Sequence, residues 1–162
     1  MSDIHIKIDA IKGESAIVGH KDEIEVDSWH WAVTNAVPAG GGSGSGSGRP
    51  QFADLVFVHR ADRASPELWR ACTLGRSLAS AVLTVTRGGG SGAAQDYLAI
   101  TLRDVRVTSV SLADAADDGQ RPMESVSLAY RKAEYQYRPQ KTDGSLGPAV
   151  KFGYDLKTNK PL

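Results

Sequence analysis

Three carboxylates, Glu23, Glu25 and Asp27, recur at every second position, so in an extended chain they project from one face. Such a set has the oxygen chemistry to hold a hard cation or to act as an acid/base pair. No nucleophile stands near them, and the expectation is a solvated or ion-paired stripe, with an oligomer contact as its functional form. The four histidines, His5, His20, His30 and His59, lack the paired spacing of metal ligands, which predicts surface histidines and no metal. Gly88, Gly90 and Ala93 satisfy the loosest form of a dinucleotide fingerprint behind a strand. Strand residues from Tyr97 follow, however, where a helix N-terminus would have to receive the pyrophosphate. The serines of 43–47 are not set in Gly-x-Ser-x-Gly, and neither glycine run is followed by Gly-Lys-Ser/Thr. No catalytic residue, cofactor site or metal site is therefore expected, and the chain does not read as an enzyme.

Around Trp29-His30-Trp31 the two tryptophans share the parity of the carboxylates, whereas His30 shares that of Ile24, Val26 and Ser28. Both faces carry apolar weight, which implies one face against the core and the other partly against a neighbouring subunit.

The elements that position these residues are mostly strands. Ile4, Ile6 and Ile8 alternate with His5, Lys7 and Asp9. Further runs cover 23–33, 54–59, 81–87, 97–112, 124–137 and 149–155, mostly separated by Gly, Pro, Asp or Ser clusters. Leu98, Ile100 and Leu102 share one parity, Val105 and Val107 the other, and Val110 and Leu112 return to the first. A straight strand would turn several of these to water, so bends or bulges are expected near Arg103 and Thr108. The 124–137 run changes face in the same way, from Val126, Leu128 and Tyr130 to Ala133, Tyr135 and Tyr137. One segment differs. Ser65 through Gly75 has a side-chain N-cap in Ser65, Pro66 at the first helical position, Glu67 in the first turn and Gly75 at the end. It predicts one short helix, with Leu68, Ala71 and Cys72 facing the sheet.

With 162 residues the chain is expected to form a single domain over 1–162. Its 19 Lys plus Arg balance 19 Asp plus Glu, which removes the field that draws proteins to nucleic acid or anionic lipid. Cys72 is the lone cysteine and predicts a buried thiol in a reducing cytoplasm. Met1 to Asp9 lacks the features of a signal peptide, and no run approaches the roughly 18 apolar residues of a membrane span. No membrane insertion is expected, and export would need a dedicated machine. The loop at about 38–50, containing Gly40, Gly41, Gly42, Ser43, Gly44, Ser45, Gly46, Ser47 and Gly48, has the composition of a mobile linker.

Several stretches in unbroken order carry a resemblance. These are Ile6-Lys7-Ile8-Asp9, Ile11 to Ser15, Lys21 to Val26 leading to Trp29-His30-Trp31, Asp54-Leu55, and Arg63-Ala64-Ser65-Pro66 with Leu68. They continue in Tyr97-Leu98 with Ile100-Thr101-Leu102, Val107 to Ser111, Glu124 with Val126 and Leu128, Tyr137 to Gln140, and Asp143-Gly144-Ser145. The chain resembles the hemolysin-coregulated protein (Hcp) family, the tube proteins of type VI secretion machines, and is similar in fold and role to phage tail-tube proteins. The resemblance implies a mainly β fold, a two-sheet antiparallel β-barrel with one short α-helix packed on its side. It implies homohexameric rings that stack into a tube inside sheath subunits, leave the bacterial cytoplasm with a spike protein of the VgrG type, and carry and stabilise small effector proteins in the lumen.

By the same resemblance, the Gly/Ser loop Gly40–Gly48 reaches toward neighbouring subunits and stacked rings, and His30 faces the lumen and touches cargo. The serine repeat is longer than the family pattern, and Tyr154 stands where tryptophan is expected. Two rival readings are a monomeric small-ligand-binding β-barrel, with the tryptophans lining a pocket, and a hydrolase using the acidic stripe.

Overall fold

The computed structural model describes residues 2–36, 48–88, 94–116 and 119–162. Period-two patterning becomes antiparallel strands. β1 (Ser2–Ile8) buries Ile6 and Ile8, and β2 (Ile24–Glu25) pairs with it at Ile6↔Ile24. β3 (Ser28–His30) follows after two residues. β4 (Val33–Asn35) and β5 (Pro50–Phe52) form a separate two-stranded hairpin. β6 (Leu55–Arg60) alternates buried and half-buried residues and is followed by α1 (Ser65–Leu74), β7 (Leu78–Arg87) and β8 (Gln95–Ala113). β9 (Met123–Ala129), β10 (Lys132–Tyr137), β11 (Val150–Asp155) and the short β12 (Lys160–Pro161) complete the chain.

Two layers result. One sheet has the order β12-β11-β10-β8-β7-β1-β2, and the other runs β8-β9-β6-β3. β8 serves both: residues up to Val105 pair with β7, and residues from Arg106 pair with β9. The expected irregularities occur where the apolar parity changes. Asp104 adopts a positive φ of 52°, and the β8–β9 register shifts between Val107 and Ser109. The bulge returns Val110 to the core side, opposite Val126.

The barrel is not closed, contrary to the sequence expectation. Ladder bonds do not join β2 to β3; the chain itself crosses the corner. Val26 N–H donates to Ile4 O in the first sheet, and Asp27 N–H donates to Val58 O in the second. The 23–33 and 124–137 runs are therefore not single strands: each breaks where it passes from one sheet to the other, the second at Tyr130–Arg131. A strand that turns a corner keeps its apolar residues inward by changing parity, which is how such breaks look in sequence.

Phe57, Leu55, Leu83, Ile100, Leu102 and Leu128 fill the space between the sheets. Helix α1 covers β8 through Leu68 and Ala71, which are fully buried, and Cys72 is half-buried. Burying Leu68 contributes about 1.5–3 kcal/mol. Its start differs from expectation: Ala64 is the N-cap, without a side-chain cap bond, and Ser65 is already helical. Ser65 Oγ instead accepts from Asp62 N–H at 3.0 Å, and Asp62 Oδ1 accepts from Ala64 N–H at 2.8 Å, so the turn before the helix is what the polar side chains stabilise. Gly75 ends the helix in the left-handed region at φ 59°, as its position predicts.

Candidate functional site

The hairpin β4–β5 is the stem of the Gly/Ser segment, and it is held by aromatic residues that lie far apart in the chain. Trp31, just before β4, and Phe52, at the end of β5, have ring centroids 6.4 Å apart. Trp31 stacks on Tyr135 of β10 at 6.3 Å and meets Tyr130 edge-on at 6.2 Å. Phe52 in turn packs on Tyr154 of β11 at 5.0 Å, so the aromatic that departs from the family pattern still completes the cluster.

One hydroxyl ties the set together. Trp31 Nε1–H donates to Tyr130 Oη at 2.5 Å, and Tyr130 O–H donates to Ala53 O at 2.8 Å. Burial pushes the Tyr130 phenol up to about 12, against a smaller opposing effect of the Trp31 hydrogen bond, so the hydroxyl stays protonated at neutral pH. Ala53 N–H donates to Ala32 O at 2.9 Å, closing the stem at its sheet end. At the far end, Gly48 lies so close to Ala36 that a Cβ there would overlap the Ala36 carbonyl oxygen and come within 2.8 Å of Asn35 Oδ1. Only glycine fits that approach. Of the predicted loop, Gly48 thus marks the neck of the stem, whereas Gly40, Gly41, Gly42, Ser43, Gly44, Ser45, Gly46 and Ser47 lie outside the described residues.

His30 is exposed on the outward face of the second sheet. It lies in a row with Val56, Ser127 and Ser109, and the adjacent row holds Ser28, Val58, Ser125 and Ser111. Trp29, on the opposite parity, packs against the core. In these two rows His30 is the sole ionisable side chain. The side chains of these two rows are small and, His30 apart, not ionisable, a strip that can touch a folded protein without burying unpaired charge; the next row on the same face carries Arg60.

The three carboxylates of the acidic stripe do not converge. Asp27 faces Arg60 at 3.6 Å, and Glu25 is exposed, whereas Glu23 turns away to His20. Among the described residues no group of three His, Cys, Asp or Glu is arranged to hold a metal ion. The expectation of surface histidines is overturned for three of the four: His5, His20 and His59 are at most 7% exposed. His59 Nε2 meets Glu124 Oε1 at 2.8 Å, and Glu124 Oε2 accepts from Trp69 Nε1–H at 2.8 Å, joining α1 to β6 and β9. Glu124 is itself fully buried, although it continues the alternation of β9. Asp62, also near His59 at 3.8 Å, has its carboxyl raised above the usual range by burial, partly offset by that histidine. Sequence spacing carries no trace of the Glu124 contacts, because His59 and Trp69 lie 65 and 55 residues away from it. A polar residue at a core parity, such as Glu124, is the one signal that was present.

Comparison with known proteins is consistent across the chain. The family model described as "Type VI secretion system effector, Hcp" matches residues 5–137. Protein hcp1 of Pseudomonas aeruginosa is 36% identical over 158 residues, covering 97% of this chain and 96% of that protein. The crystal structure of Hcp1 from Salmonella typhimurium superimposes with a TM-score of 0.82 at 34% identity, covering 99% of each chain. A structure of a type six secretion system protein superimposes with a TM-score of 0.92 at 27% identity over 100% of both chains.

Proposed function

The chain belongs to the Hcp family of type VI secretion proteins, and on that premise we propose that it is the non-enzymatic subunit of the secreted inner tube. Six copies close into a ring by a repeated heterologous contact, and rings stack through their faces. The arm whose stem is β4–β5 reaches the neighbouring copy or ring, and the Ser/Val face bearing His30 turns to the lumen, where small effectors sit. Sheath subunits surround the tube, a spike protein of the VgrG type caps it, and tube and cargo leave the bacterial cytoplasm together. No helix among the described residues is long and apolar enough to cross a membrane.

The observation that carries this reading is the aromatic clamp. Five aromatic residues and a hydrogen-bonded hydroxyl fix a two-stranded stem that pairs with no other strand among the described residues. An isolated hairpin is marginally stable in water, so such anchoring serves a segment that must project in one direction. A small-ligand barrel would need an interior cavity; here large side chains occupy the space between the sheets.

The reading is tested by co-expressing the protein with small effectors of the same secretion machine and measuring co-elution and effector lifetime under protease. Retention in a ring-sized fraction with a prolonged lifetime is expected, because binding only the folded cargo shifts its unfolding equilibrium. Effectors that elute alone and are degraded at their free rate would contradict the carrier role. A His30→Gln variant that loads every effector unchanged would remove His30 from the contact surface.

A further inference from the structure

The hairpin formed by residues 13–23 is fastened at its two ends by different chemistry. At its base, Arg63 Nε–H donates to Gly13 O at 2.7 Å and its guanidinium reaches Asp22 Oδ1 at 3.1 Å. Backbone bonds from Ser15 N–H to Glu23 O and Asp22 N–H to Ser15 O continue the hairpin outward. Its tip carries Ile17, 43% exposed, and Val18, 97% exposed. Among the described residues, His20 is the side chain near the tip that hydrogen-bonds the body of the protein.

His20 lies flat on His5 of β1, with ring centroids 4.6 Å apart and planes within 4°. Its Nδ1 meets Glu23 Oε2 at 2.7 Å, and its Nε2 meets Asp96 Oδ1 at 2.9 Å, with Thr86 Oγ1 donating to the same Asp96 oxygen at 2.6 Å. A neutral imidazole has one N–H, so it can donate to only one of two carboxylates; donating to both requires the imidazolium. A second imidazolium stacked 4.6 Å away would repel it. His5 therefore fits this stack only as the neutral ring, and its buried Nδ1 has no hydrogen-bond partner among the described residues.

We propose that the His5–His20 stack is a proton-controlled lock, which holds the 13–23 hairpin tip down at near-neutral pH and frees its apolar Ile17–Val18 end on acidification. The charged groups facing the pair are Asp3 on β1, Glu23 and Glu25 at β2, and Asp96 on β8; β7 contributes the uncharged Thr84 and Thr86. Burial, then His20 itself, hold His5 below its ordinary value, against the weaker pull of the nearby carboxylates. For His20, burial pulls down, but the bonds to Glu23 and Asp96 outweigh it and the value is raised. The two signs bracket a window. The raised His20 contributes holding that is full below the ordinary value of about 6.5 and lost as pH rises through its folded value. The lowered His5 contributes holding that is full above about 6.5 and lost as pH falls through its folded value. The tip is fastened most firmly between the two, and Arg63 keeps the base in place on either side.

The test is hydrogen exchange of the full chain at about pH 5, 6.5 and 8, corrected for intrinsic exchange, with β7 amides as the internal reference. In the wild type, protection of residues 15–21 is greatest at about pH 6.5; it falls on acidification by up to about tenfold per pH unit, and falls again toward pH 8 as His20 loses its proton, while β7 is unchanged. His5→Phe keeps a flat ring under His20 that cannot take a proton, and its tip stays protected at the acid end. Protection that is level across the three pH values, or an acid loss that persists in His5→Phe, overturns the lock. Ring-carbon NMR of the unsubstituted protein tests the lock without a variant. His20 cationic above and His5 neutral below the ordinary histidine midpoint supports it, and both titrating together at that midpoint overturns it.

Discussion

Replacing Tyr130 by Phe removes one oxygen from the arm clamp and leaves every ring in place. That oxygen accepts from Trp31 Nε1–H at 2.5 Å and donates to Ala53 O at 2.8 Å. Each bond contributes about 0.5–1.5 kcal/mol net, so the pair is worth about 1–3 kcal/mol. Trp31 is only half-buried and Ala53 is exposed, so water can reach both orphaned groups and the cost falls at the lower end, about 1–2 kcal/mol. Urea unfolding at fixed protomer concentration measures it, and a cycle with Trp31→Phe isolates the pair. In the Trp31→Phe background the Tyr130→Phe change has only the Ala53 bond to remove, so a coupling of about 0.5–1.5 kcal/mol is expected. Hydrogen exchange of residues 33–36 and 48–52 should rise while β7 and β8 stay protected. Additive effects, or an unaltered stem with the whole protein destabilised, would refute the claim that this hydroxyl positions the arm.

Other perturbations separate the remaining supports. Leu68→Ala should cost about 2–5 kcal/mol in the same unfolding assay, because Leu68 is fully buried between helix and sheet. Gly75→Ala should cost about 1–2 kcal/mol through backbone strain alone, since φ is 59° and nothing lies within 4 Å of an added Cβ; calorimetry would show it as a lowered Tm with an unchanged fold. Glu124→Ala should cost about 2–4 kcal/mol by stranding the buried His59, whereas Trp69→Phe, which leaves the Glu124–His59 contact intact, should cost about 1 kcal/mol.

What can be read from the chain is whatever a strand or helix writes into its own neighbours. The parity changes at Leu102/Val105 and Val107/Val110 locate the bend at Asp104 and the bulge before Ser109, because each must keep apolar side chains inward. Gly75 and Pro66 frame α1 for the same local reason, although the polar side chains before it bond the preceding turn instead of capping it. Contacts between distant segments leave no such mark. His20 meets Asp96 across 76 residues and Trp31 meets Tyr130 across 99, so neither the His20 bridge nor the aromatic clamp could be inferred from spacing. The sheet corner at Val26–Asp27 reads in sequence like a continuous strand, since both halves remain extended. Parity places His30 on a face, but the uncharged Ser/Val rows around it exist only across four strands set side by side.

A tube subunit must close into a ring with an open centre, which negative-stain electron microscopy joined to the solution mass from light scattering detects without any partner protein. Six copies of the 17.3 kDa chain predict about 104 kDa and six-membered rings around a hole. A compact particle of single-chain mass at every concentration tried would contradict the tube reading.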